Sequence, residues 1–105
     1  MTTSPTLKEV SALARSLTPD QLAAGHRAME KNGIPMRSAE RAAGLVGAPD
    51  FAVTSALTKD VPELPHSSRY FLATCATYAR AASKEGLEDR HRTALKAPWE
   101  AIANG

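Results

Sequence analysis

At 105 residues the chain carries enough material for one domain around one core. Apolar residues are 43% of it, but twenty are Ala, Val and Ile together number six, and aromatics are only 5%; strands want β-branched and aromatic residues, so an all-β fold is disfavoured and a helical one expected. Thirteen basic and eleven acidic residues (net +2) are interspersed along the chain, which argues against a protein built on a basic stripe for nucleic-acid phosphates.

Pro and Gly divide the chain into short helices. Ser4-Pro5 and Thr18-Pro19 share one signature: a hydroxyl able to cap, then a proline whose missing N–H costs nothing in a first turn. The first predicted helix, about 5–17, places Leu7, Val10, Ala14 and Leu17 on one face with Leu13 at its edge. The second, about 19–31, aligns Leu22, His26 and Met29, and Asn32-Gly33 reads as a left-handed stop. Beyond Ile34-Pro35, a third helix over about 37–46 turns Ala39, Ala42, Ala43 and Val46 inward; Gly47-Ala48-Pro49-Asp50 makes a tight turn, and Phe51 to Thr58 a short fourth helix. Pro62 and Pro65 keep the connection 59–67 extended. Ser67 or Ser68 then caps the longest helix, about 69–84, whose apolar residues cover more than half its circumference and mark it as central; Gly86 ends it. Leu87, His91, Leu95, Trp99 and Ile102 follow at near-helical spacing, and Pro98 predicts a kink or break around Ala94 to Ala97.

The groups that could carry chemistry do not converge. Cys75 is the only cysteine, which excludes an intrachain disulfide and a cysteine-based zinc site, and its run Tyr70 to Ala76 reads as a core thiol in a reducing compartment. His26, His66 and His91 lie far apart; Glu88 and His91, three residues apart, read as a surface pair, and His26 and His91 as histidines on apolar helix faces. Ser and Thr cluster at helix starts, no Gly-rich loop follows a strand, and the carboxylates lie near Lys or Arg, so the chain is expected to be no enzyme and to hold no cofactor and no metal. The locally basic stretch Arg80, Lys84, Arg90, Arg92 and Lys96 is interleaved with Glu85, Glu88 and Asp89 and reads as a solvated helical surface. Met1 to Pro5 contains no apolar signal region, and no window approaches the ~18 apolar residues of a membrane span, so a cytoplasmic location is expected.

Within Ala39–Thr58, Ala43, then Gly47 four positions later, then Val53 and Ala56 occupy the slots of a small residue, a turn glycine and two apolar residues. That pattern resembles a helix-turn-helix, in which the small residue lets two helices cross and the glycine makes the turn. The resemblance implies DNA contacts by Arg37, Arg41, Thr54, Ser55, Thr58 and Lys59, although base reading usually draws on Arg, Lys, Asn and Gln and Asp50 stands at the leading edge.

The sequence therefore predicts an all-α single domain over 1–105: a compact bundle of five to six short helices around a central helix near 69–84. Its expected function is that of a small non-enzymatic interaction module, an adaptor, inhibitor or regulator with a protein partner or a second copy of itself. Leu95, Trp99 and Ile102 are the expected protein-binding residues, because Trp is enriched at interface anchors. The alternative is a transcriptional regulator that reads DNA through 39–58.

Overall fold

The computed structural model describes residues 4–45, 47 and 49–105 and contains six helices: α1 Leu7–Arg15, α2 Pro19–Lys31, α3 Gly33–Ala43, α4 Phe51–Asp60, α5 His66–Ala81 and α6 Asp89–Ala103. Two of the helix starts are reciprocal capping boxes. The Thr18 hydroxyl accepts from the Gln21 N–H and the Gln21 side chain accepts from the Thr18 N–H, with Pro19 in the first turn, as the sequence predicts. At α1 the same box joins Thr6 and Glu9. The expected cap Ser4 is displaced by two residues, because only Thr6 has an acidic partner at the third helical position; Pro5 is buried ahead of the helix instead.

Three further expectations are corrected. Asn32 is not a left-handed stop: its φ is −98°, its side-chain amide donates to the Ala28 carbonyl, its own carbonyl accepts from the Met36 N–H, and α3 begins at once with Gly33. The left-handed glycines are Gly44, which closes α3, then Gly47 in the turn and Gly86 after α5. Neither Ser67 nor Ser68 caps α5, because Pro65, extended at φ −53° and ψ 144°, occupies the cap position and the helix starts at His66. The helix α6 runs unbroken past the buried Pro98, whose absent N–H leaves the Ala94 carbonyl without its usual donor. Of the residues expected to face inward from the third helix, Ala39 and Ala43 are buried, Ala42 is exposed, and Val46 lies outside the described residues.

Packing follows from how the two longest helices divide their faces. The longest, α5, contributes Leu72, Cys75, Ala76 and Ala79 to a cluster completed by Val10 and Ala14 of α1, Val53 and Leu57 of α4, and Trp99 and Ile102 of α6. At the opposite end of α6, Ala94 and Leu95 join Met36, Ala39 and Ala43 of α3 and Ala82 in a second cluster. Thus α5 and α6 form the spine, with α1 and α4 packed to one side and α2 and α3 laid along α6. Gly25 lets α2 approach: a β-carbon there would stand 2.7 Å from the buried Ile102 side chain. The radius of gyration, 12.6 Å, is that of a single compact domain of this length, for which about 13 Å is expected. Among the described residues no helix is long and apolar enough to cross a membrane.

Candidate protein-interaction groove

The residues expected to anchor a partner are engaged within the chain. Leu95 and Ile102 have no exposed surface, and Trp99 retains only 8% exposure, wedged into the α1–α4–α5 cluster. They close the core of a bundle short of large side chains, and none offers surface to a partner as folded, which corrects the expectation drawn from Trp99. Cys75 is likewise fully covered, and burial pushes its thiol up to about 12, so it stays protonated and inert at neutral pH. His26 is exposed, its ring stacked on Phe71 with centroids 3.7 Å apart; the apolar face sensed in the sequence is the aromatic ring it covers. His91 is half-buried beside Ile34 and Pro35. Among the described residues no three His, Cys, Asp or Glu side chains gather as metal ligands would.

The segment resembling a helix-turn-helix is divided between the two halves of the molecule. Ala43 packs in the α3–α6 cluster and Val53 in the α1–α4–α5 cluster, so the small residue and the apolar residue expected to lock against it never share a core. Arg37 and Arg41 are exposed on α3, and Ser55, Thr58 and Lys59 on α4. Thr54 and Thr58 donate their hydroxyls back to the carbonyls of Asp50 and Thr54, one helical turn earlier.

Several concavities open on the surface of the described residues. One, of about 510 Å³, lies between Gly44, Leu45 and Asp50 on one side and α5 on the other. Its polar groups hold the fold together: the Arg80 guanidinium donates to the Pro5 carbonyl at 2.8 Å and stands 4.0 Å from Asp50, and the Asp50 N–H donates to the Thr77 hydroxyl at 2.8 Å. Another, of about 230 Å³, lies beside Ile34, Pro35, Ser38, Arg90 and His91. Between them in size, at about 440 Å³, a groove runs between α1 and α4, lined by Leu7, Lys8, Ser11, Arg15, Ala56, Lys59 and Asp60. Its floor is apolar or small, and the Ser11 hydroxyl donates across it to an Asp60 carboxylate oxygen at 2.9 Å, tying the two helices together.

Some cations elsewhere serve the fold. The basic stretch near the α5–α6 junction is largely a capping device: Arg92 donates to the carbonyls of Ala82, Lys84 and Leu87, and Lys84 to that of Ala43. Arg90 pairs with Glu88. Lys8, Arg15 and Lys59, like Arg27, Lys31, Arg37, Arg41 and Lys96, make no ion pair and no side-chain hydrogen bond among the described residues; these three line one groove together, beside a single carboxylate, Asp60, held by Ser11. No protein-family model matches the chain, and no significant similarity to a curated protein or a solved structure is found.

Of the groove residues, sequence reasoning singled out only Lys59, and for DNA. The missed signal was the placement of Lys8 and Arg15 seven residues apart, two turns along one flank of α1. Only the packing of α1 on α4 makes these residues a site.

Proposed function

We propose that the chain is a small non-enzymatic helical interaction module that binds a protein partner through the groove between α1 and α4. The observation carrying this reading is the lining of that groove, which gathers Lys8, Arg15 and Lys59, none of them bonded within the described residues, around the small Ser11 and Ala56 with Leu7 at one end. Phosphates alone need no apolar floor, whereas a side chain seated between two helices does. DNA reading through 39–58 is the weaker alternative, because it draws on Arg37 and Arg41 of α3 together with α4, and those helices share no core cluster.

Photo-crosslinking from the groove tests the reading. With benzoylphenylalanine in place of Ala12, exposed on the flank of α1 between Lys8 and Arg15, extract of the native cell is expected to yield discrete protein adducts that survive nuclease treatment. The same probe in place of Glu30, exposed on α2, serves as control. Adducts identical from both positions, or adducts abolished by nuclease, would overturn it.

A further inference from the structure

We infer that the occupant of the α1/α4 groove is an acidic amphipathic helix, with carboxylates set two turns apart flanking a short apolar ridge. The inference rests on the interaction-module reading and adds the chemistry of the partner. Lys8 and Arg15 are separated by seven residues of α1, which at 1.5 Å per residue is about 10.5 Å. Acidic residues seven apart on a partner helix repeat at the same interval, so one helix laid along the groove meets both cations. Lys59 stands on the opposite wall, next to the Ser11–Asp60 bond, and closes a triangle of positive charge around the floor. Three cations against one hydrogen-bonded carboxylate give that floor a positive rim. Glu9, the acidic residue of α1, is held away by its capping bond to the Thr6 N–H.

Shape points the same way. Two packed helices present a groove into which the side-chain ridge of a third can settle, provided the floor is shallow. Ser11 and Ala56 provide that shallow floor, and Leu7 supplies apolar contact at one end. A groove of about 440 Å³ receives a few side chains of such a ridge, not a whole helix. The two other concavities described above carry less. The cleft at Ile34 has Arg90 already paired with Glu88, and the pocket beneath Arg80 is occupied by the bonds that fasten Pro5 and Asp50.

The test is selection of a displayed random-peptide library on the whole protein. Survivors are then measured by fluorescence anisotropy against the parent, against Lys8→Glu/Arg15→Glu/Lys59→Glu, and against Ala56→Leu, which fills the floor without changing charge. Duplex DNA is measured beside them, and circular dichroism verifies that each variant retains its helices. The expected survivors carry Asp or Glu at helical spacing flanking apolar residues and bind more weakly as salt rises. They lose about tenfold or more in affinity on charge reversal, and comparably on Ala56→Leu. Survivors indifferent to both variants, or without acidic enrichment, would overturn this inference and leave the interaction module standing on another surface. No survivors, or binding of DNA alone, would overturn the module reading with it.

Discussion

Replacing Gly25 by Ala tests how α2 is seated on the spine. A β-carbon at this position falls 2.7 Å from both Cδ1 and Cγ1 of Ile102 and 3.0 Å from Cε2 of Phe71. Carbon atoms pack at about 3.5–4.0 Å, so about 1 Å must be found. Neither neighbour yields easily: Ile102 is fully buried, and His26 stacks on the Phe71 ring. Overpacking of this kind costs about 1–3 kcal/mol, and the better helix propensity of Ala returns at most about 1 kcal/mol. The net expectation is a loss of about 1–2 kcal/mol, or roughly 5–10 °C in Tm for a domain of this size. Urea denaturation followed by circular dichroism measures it, with Gly33→Ala as the matched control: that glycine also lies in a helix but has nothing near its β-position, so it is expected to gain up to about 1 kcal/mol. Ile102→Val removes the Cδ1 atom, so the double variant with Gly25→Ala should lose less than the two single losses combined. A Gly25→Ala protein as stable as the parent, or more so, would refute the close approach of α2 to α6.

Other expectations concern single contacts. Arg92→Lys, which keeps the charge but loses the fork reaching the carbonyls of Ala82, Lys84 and Leu87, should lower stability by about 1–2 kcal/mol in the same urea assay. Thr18→Ala removes one capping box and should cost about 1 kcal/mol, whereas Ser4→Ala, which has no capping role, should be neutral within about 0.5 kcal/mol. The buried Cys75 thiol is raised from 9.0 to about 12; an unfolded chain ionises it from about pH 9 while the folded one does not. Its contribution is therefore constant below pH 9 and declines between pH 9 and pH 12. Tyr78 acts in the same direction, raised by burial and by its hydrogen bond to Glu40. Urea midpoints should fall on alkalinisation, less steeply in Cys75→Ala, and a thiol reagent at pH 8 should label Cys75 only after unfolding.

Local signals in the sequence were sufficient for the helices. Ala abundance and the Thr18-Pro19 start depend on neighbours a few residues apart, and both are realised as read; of the turn read at 47–50, Gly47 takes the left-handed conformation and Ala48 lies outside the described residues. Misreadings arose where two local signals competed. Ser4-Pro5 looked like Thr18-Pro19, but the reciprocal bond from Glu9 decided for Thr6, and Asn32-Gly33 looked like a stop although Asn32 bridges two helices through its side chain and carbonyl. Gly25 was legible in principle, since a glycine inside a helix is costly unless something must come close. Long-range partnerships were not legible. Whether Trp99 faces a partner or its own core depends on α1 and α4, and whether Arg92 is free or capping depends on the chain reversal after α5. The groove is of the same kind: Lys8 and Lys59 belong to one site only because Val10 and Val53 share a core.

The most direct measurement is an amide chemical-shift map of the isotope-labelled protein titrated with an acidic helical peptide recovered by selection. The account predicts shifts concentrated along Leu7–Arg15 and over the residues from Ala52 to Asp60, and their disappearance in Lys8→Glu/Arg15→Glu/Lys59→Glu. Shifts gathered around Ile34, Pro35 and His91, or unchanged by the charge reversal, would contradict it.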